Sequence, residues 1–218
     1  MSTRGPATAD RVLHGARAYD VLAWFLTLGR ERRFRERLVD LVGLGDGESA
    51  LDVGCGTGNL ALAAKARVGA SGRVCGVDPS PEMIARARRK AARAGVDVRF
   101  ENAAAEALPF PDETFDAVLS TLMLHHLTEE GRREGVAEIA RVMRPGGKFL
   151  AVDMGEGKGR HGGFHLRLAR RHAHVEPDAL APLLDANALR IVDDGRVGFR
   201  GLLGLPNLWF VRSVKPAP

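Results

Sequence analysis

Apolar positions along the chain keep two different rhythms. Leu22, Phe25 and Leu26, then Phe34, Leu38, Leu41 and Val42, recur every three or four residues and predict a helix over residues 18–42, stopped by Gly43, Gly45 and Gly47. Beyond it, short apolar runs at Ala50–Val53, Arg73–Val77, Val96–Phe100, Phe115–Thr121 and Lys148–Val152 read as strands. Helical patterns near Leu60–Arg67, Pro81–Ala94 and Glu129–Met143 fall between them. Strands joined through helices of this length need crossover connections, which predicts a doubly wound parallel sheet. Gly95 closes one helix, and Pro145-Gly146-Gly147 ends another and turns the chain back into a strand.

The rhythm changes after Asp153. A Gly- and basic-rich connector, Gly155–Gly163, leads through a basic helical stretch to a short helix at Pro177–Ala186. Arg190–Phe199 and Leu208–Val214, joined by a Gly-Leu-Pro loop, have no helical period and should pair as an antiparallel hairpin. The expected fold is α/β: one mainly parallel seven-stranded sheet with an antiparallel last strand. A single domain of residues 1–218 is expected, with a helical cap at 1–47, a ligand-binding core at 48–153, and a final segment and hairpin at 154–218.

Composition narrows the class. The 218 residues are 45% apolar and 27% charged, the balance of a globular protein. The longest nearly unbroken apolar stretch, Val21–Leu28, is far short of the roughly 20 residues of a membrane-spanning helix. Met1–Asp10 does not resemble a secretory signal, so a cytoplasmic location is expected. Cys55 and Cys75 alone make neither a disulfide framework nor a four-ligand zinc site. The net charge of +5 suits an anionic partner, but no basic strand studded with aromatics accompanies it, and nucleic-acid binding is not expected.

The chemistry concentrates in Leu51-Asp52-Val53-Gly54-Cys55-Gly56-Thr57-Gly58-Asn59, where a strand turns into a helix. Ligands of such sheets bind at the carboxyl ends of strands. A dinucleotide loop would want a third glycine at Asn59, and its phosphates would be disfavoured by Asp52; a P-loop would need a Lys followed by Ser or Thr. An acid at the strand end suits a cationic or zwitterionic ligand instead. Asp78 closes the next strand, where its carboxylate can accept both ribose hydroxyls. A nucleoside that carries a cation points to S-adenosylmethionine.

Four ordered blocks then resemble the class I S-adenosylmethionine-dependent methyltransferases, and within them the ubiquinone and menaquinone C-methyltransferase-like branch (methyltransferase type 11). They are Leu-Asp-Val-Gly-Cys-Gly-Thr-Gly, Gly-Val-Asp-Pro-Ser-Pro-Glu-Met-Ile-Ala-Arg-Ala-Arg, Ala-Glu-Ala-Leu-Pro-Phe-Pro-Asp-Glu-Thr-Phe-Asp-Ala-Val and Arg-Val-Met-Arg-Pro-Gly-Gly-Lys-Phe, within about residues 48–153. The resemblance implies that Gly54, Gly56 and Gly58, with Cys55, Thr57 and Asn59 between and after them, bracket the cofactor's amino-acid end. It further implies that Asp52 helps hold the ammonium, Asp78 holds the ribose, and Pro79 and Met83 flank the adenine. The family commonly has Gly-Asp-Ala-Glu where this chain reads Ala103-Ala104-Ala105-Glu106. Adenine recognition is therefore assigned to backbone groups of Ala104 and Ala105 or to the side chain of Asn102. Thr121, at the end of the fourth strand, completes the cofactor set.

Methyl transfer asks the protein to align the acceptor, exclude water and, for some acceptors, remove a proton. His125 and His126 follow the fourth strand at the ligand-bearing edge, and imidazole titrates near neutral pH, so they are the catalytic candidates. The quinone enzymes tend to have Gly-Leu-Arg-Asn here, and the His pair departs from that. His161, His165, His172 and His174 lie in the basic segment without a completing carboxylate, and no metal is expected. The apolar helix with Arg30, Arg32, Arg33, Arg35 and Arg37 after it could lie on an anionic membrane surface. The expected function is methylation of a small hydrophobic acceptor. The alternatives are a phospholipid amine N-methyltransferase at the membrane surface and a non-catalytic nucleoside-binding regulator.

Overall fold

The structure, a computed structural model, describes residues 31–154, 177–198 and 208–217. In it a helix α1 (Glu31–Val42) precedes β1 (Ser49–Val53), α2 (Asn59–Val68), β2 (Arg73–Asp78), α3 (Pro81–Ala94) and β3 (Arg99–Asn102). Then come β4 (Phe115–Thr121), a single 3-10 turn at Leu124–His126, α4 (Glu129–Val142), β5 (Met143–Met154), α5 (Pro177–Ala186), β6 (Arg190–Arg196) and β7 (Leu208–Val214). The strands form one sheet in the order β3-β2-β1-β4-β5-β7-β6. The first five run parallel, and β7 enters antiparallel between β5 and β6.

Strand alternation sends side chains to opposite faces. Leu51 and Val53 of β1 join a core with Val136 and Ile139 of α4 and Leu180 and Leu184 of α5. Ala50 belongs to the other core, with Phe34 and Leu38 of α1, Ala61 and Ala64 of α2, and Ile84 and Ala87 of α3. Asp52, two residues after Ala50, therefore faces α1 and α2. Sheet order reverses direction between β1 and β4, and a crevice opens at the carboxyl ends of strands that diverge in this way.

The predicted third strand, Val96–Phe100, begins three residues later than expected, at Arg99. The Val96 N–H bonds back to Ala91 O at 3.2 Å to close α3 behind the left-handed Gly95, so it is not free for the ladder. The Pro145-Gly146-Gly147 turn also sits differently. Met143 already pairs with Phe115, and the next register pair is Ala117 with Lys148, so residues 144–147 bulge inside β5. The bulge is held by Gly146 N–H to Lys215 O at 2.8 Å and Lys215 N–H to Gly147 O at 2.9 Å. The predicted 18–42 helix is described from Glu31 onward; Tyr19, Trp24, the 155–163 connector, the four histidines of the basic segment and the Gly-Leu-Pro loop lie outside the described residues. Among the described residues no helix is long and apolar enough to cross a membrane, and no cluster of metal-ligating side chains occurs.

Candidate functional site

The loop after β1 is built around backbone that only glycine adopts easily. Gly54, Gly56 and Gly58 have φ of 74°, 52° and 82°. Crowding adds a second demand: a Cβ on Gly54 would lie 2.3 Å from Met123 Cγ, and one on Gly58 would lie 2.8 Å from Phe100 Cζ. The loop is tied to β2 by the Gly54 and Cys55 N–H groups, each 2.9 Å from Val77 O.

Asp78 is the hinge between the two strand ends. Its Oδ2 accepts the Gly56 N–H and its Oδ1 the Ser80 N–H, both at 2.9 Å. Burial raises its pKa, opposed by those two amides. The same residue's carbonyl accepts from Asn102 Nδ2 at 2.9 Å, so the Asn102 amide docks β3 to β2 and its Oδ1 remains as an acceptor. Pro79 is exposed, whereas Met83 is buried in the first turn of α3, with its N–H on the Ser80 hydroxyl. Ala104 O accepts from Ala107 N–H, and the Ala105 side chain is buried in the core against α4. Neither alanine side chain replaces the family's aspartate, and what they can offer an adenine is backbone.

Asp52, Gly54, Cys55, Thr57, Asn59 and Thr121 surround one crevice, together with Arg35 and Leu60. Lys90 of α3 braces its rim, with Nζ 2.8 Å from Thr57 Oγ1 and 2.7 Å from Asn59 Oδ1. Asp52 is 2% exposed, and its Oδ2 has no partner among the described residues. Burial pushes its carboxyl up to about 7; Arg35 and the Ala61 amide oppose the rise, and Asp78 adds to it. Burial, then the charges of Asp52 and Asp78, push the Cys55 thiol up as well, which makes it an inert lining group rather than a nucleophile.

Arg35 is the residue that sequence reasoning misplaced. Its companions in the basic run suggested a membrane-facing surface, but Arg35 occupies the buried stripe of α1 with Leu38, Val39 and Val42, at the spacing of a core position. A charge at an apolar position of an otherwise regular stripe is the signal that could have found it.

Next to Thr121, Leu122 takes a left-handed φ of 55°, unusual for a branched side chain, and its N–H holds Val152 O at 2.8 Å; neither it nor the histidines that follow are among the residues lining the crevice. That turn delivers the two histidines, which differ sharply. His125 is buried, its Nδ1 lies 2.5 Å from Asp153 Oδ1, and its own N–H donates to Asp153 Oδ2 at 3.1 Å. Asp153, fully buried at the end of β5, also accepts the Met154 N–H at 2.7 Å. His126 is half-buried and packs against His125 with ring centroids 4.0 Å apart and ring planes tilted by 43°.

A reversed sheet of this order, with a glycine loop and two acids at its switch point, defines the class I methyltransferase architecture. Residues 50–147 match a family described as a methyltransferase domain. The demethylmenaquinone methyltransferase of Thermus thermophilus is 41% identical over 135 residues, which is 62% of this chain and 60% of that protein. The ubiquinone/menaquinone biosynthesis C-methyltransferase UbiE of Geobacter sulfurreducens is 33% identical over 162 residues, 73% of this chain and 62% of that protein. The chain thus spans about three fifths of the length of these curated relatives. A SAM-dependent methyltransferase from Aquifex aeolicus superposes with a TM-score of 0.70 at 21% identity, covering 93% of this chain and 100% of that one, a likeness of fold. Residues 50–147 thus carry a methyltransferase domain in a class I methyltransferase fold, and the chain is similar to the ubiquinone and menaquinone C-methyltransferases.

Proposed function

We propose that the chain transfers a methyl group from S-adenosylmethionine to a small hydrophobic acceptor that has a proton to lose. The observation that carries this reading is the buried Oδ2 of Asp52, without a partner among the described residues, beside the left-handed glycine loop at the sheet's switch point. An anion there would be repelled, whereas an ammonium supplies the missing donor. The likeness to a demethylmenaquinone methyltransferase and a ubiquinone/menaquinone C-methyltransferase supports the acceptor class.

When bound, the cofactor supplies an electrophilic methyl on a sulfonium. The protein's part is to bind, orient and deprotonate. Gly54, Gly56 and Gly58 let the backbone approach the amino-acid end, with Cys55, Thr57, Asn59 and Thr121 around it. Asp78, whose two oxygens are already aimed by backbone amides, keeps lone pairs for the ribose hydroxyls. Met83 and Pro79 bound the adenine side, and the amide oxygen of Asn102 with the backbone of Ala104 and Ala105 reads its edge.

His125 is the base. Asp153 accepts a hydrogen bond from the Nδ1–H, which leaves the Nε2 lone pair to accept the acceptor's proton as its atom becomes the nucleophile. Asp153 is a positioning residue, and His126 supports the ring it packs against. In this reading the enzyme works in the cytoplasm without nucleic acid, as one domain. The membrane-surface alternative is weakened because Arg35 is turned into the protein.

Isothermal titration with S-adenosylhomocysteine tests the reading, followed by turnover with a panel of quinols, phenols, thiols and lipid amines. Binding that is lost in Asp78→Ala, and release of demethylated cofactor with a hydrophobic acceptor, are expected. Absence of binding by the unaltered chain would overturn it; binding without turnover on any acceptor would point to the regulator instead.

A further inference from the structure

Two more buried polar groups stand on the face of the sheet that holds the His125–Asp153 pair. β7 runs antiparallel to β5, and its register sets Trp209 directly opposite Asp153. Residues opposed in an antiparallel pair share a face with Cβ atoms about 5 Å apart, so the indole lies beside the carboxylate that holds His125. Trp209 is 4% exposed, yet its Nε1 has no partner among the described residues, although a buried indole N–H ordinarily has one. Ser120 repeats the pattern. It is 1% exposed, it pairs with Ala151, two residues before Asp153, and its Oγ is likewise without a partner there. Strand alternation turns Ser120 away from Thr121 and the crevice, onto the face of Val118, Ala151 and Trp209. Asp153 uses neither donor, because its oxygens are taken by the His125 ring and by the His125 and Met154 amides. Idle donors in an apolar surround cost free energy unless a ligand supplies the acceptor.

We infer that the Trp209 N–H, with the Ser120 hydroxyl as a second donor, holds the oxygen of the methyl acceptor's hydroxyl group while His125 removes its proton. That proton passes to His125 Nε2, the O–H electron pair stays on the oxygen, and the Trp209 proton stays on nitrogen as a hydrogen bond to the oxyanion formed. Donors fixed in place before the charge develops stabilise it without reorganising. Leu124 and Leu127, in the same core as Trp209, suit an acceptor whose hydroxyl sits on an aromatic ring. This inference rests on the proposed methyl transfer with His125 as its base, and assigns the groups that hold the acceptor's oxygen.

The experiment is titration of the full chain, saturated with S-adenosylhomocysteine, with 4-nitrophenol and with nitrobenzene, the same ring without the hydroxyl. The unaltered complex should bind the phenol about 10- to 150-fold more tightly, the worth of a hydrogen bond to a charged group, and should show phenolate absorbance at a pH below the free probe's pKa. Trp209→Phe should lose most of that factor and the phenolate band, yet bind nitrobenzene and S-adenosylhomocysteine as the parent does. Ser120→Ala, a smaller change, should lose a lesser part of the same factor. Equal affinity of the unaltered complex for the two rings overturns the inference and needs no variant to fold. So does a Trp209→Phe protein that weakens both rings alike, the mark of a purely structural indole, or one that keeps the phenolate band. If S-adenosylhomocysteine itself does not bind, the proposed function falls; if it binds and the two rings are not told apart, the inference alone falls.

Discussion

Below about pH 7, Asp52 carries a proton that an ammonium ligand must displace. The folded carboxyl, pushed up to about 7 by burial, keeps a proton that the unfolded chain releases near 3.8. Between those values the folded state binds more protons than the unfolded state. Unliganded stability therefore falls as pH rises from about 4 to about 7 and levels above it. Ligand binding has the opposite slope. An ammonium needs the ionised carboxylate, so the affinity for S-adenosylhomocysteine should rise by up to about tenfold per unit toward pH 7, then flatten. Titrations in two buffers of different ionisation enthalpy should report a proton released below pH 7, and Asp52→Asn should abolish that release. After the fourth strand, His125→Gln should lower kcat about 10²- to 10⁴-fold while the affinity for S-adenosylhomocysteine holds. Asp153→Asn, which unsettles the tautomer rather than removing the base, should lower kcat with KM nearly unchanged. Added imidazole should restore part of the rate to His125→Gly. A full rate in His125→Gln, or a KM effect alone in Asp153→Asn, would make the pair a core contact and nothing more.

Among the elements, the β1 loop is where local backbone and tertiary packing coincide. Gly58 combines a φ of 82° with a would-be Cβ only 2.9 Å from Ala87 Cβ and 2.8 Å from Phe100 Cζ. Gly58→Ala should cost about 1–2 kcal/mol for the left-handed backbone and about 1–3 kcal/mol for overpacking, seen as a lower urea midpoint at constant slope. A midpoint equal to the parent's would mean that the loop relaxes freely. The loop was legible in the sequence because glycine spacing marks backbone freedom directly, Asp78 because its apolar run stops there, and Asp52 because an acid interrupts an otherwise apolar run. Arg35 was not legible from the basic run alone, since five arginines within eight residues look alike until the stripe of Leu38, Val39 and Val42 decides which one is turned inward. The start of β3 and the β5 bulge escaped for another reason. Both depend on hydrogen bonds made elsewhere, from Val96 back into α3 and from Gly146 to Lys215, that no local pattern encodes. The Asp153 partner of His125 is 28 residues away and needed the register of β4 against β5.

Across the whole molecule the sheet separates binding from anchorage. Its carboxyl edge carries the crevice, and its amino edge carries a fixed ionic knot. Asp116, at the start of β4, accepts the Ser49 amide at 2.8 Å and hydroxyl at 2.6 Å, and Arg144 reaches both its oxygens at 2.7 and 2.9 Å. Burial works to raise its pKa, but the Ser49 and Arg144 bonds prevail and hold it below the usual carboxylate value. Its contribution to stability is thus present above pH 3.8 and is lost as pH falls below that value through the folded pKa, the reverse of the Asp52 slope. The two aspartates should then dissociate in experiment. Asp116→Asn, with Arg144 half exposed, should lower stability by about 1 kcal/mol at neutral pH and leave affinity for S-adenosylhomocysteine untouched. Asp52→Asn should raise unliganded stability and weaken that binding. Since β1 pairs directly with β4, a fall in ligand affinity in Asp116→Asn would show that strain at one end of the sheet reaches the other, and that the crevice is set by the whole sheet rather than by its switch point.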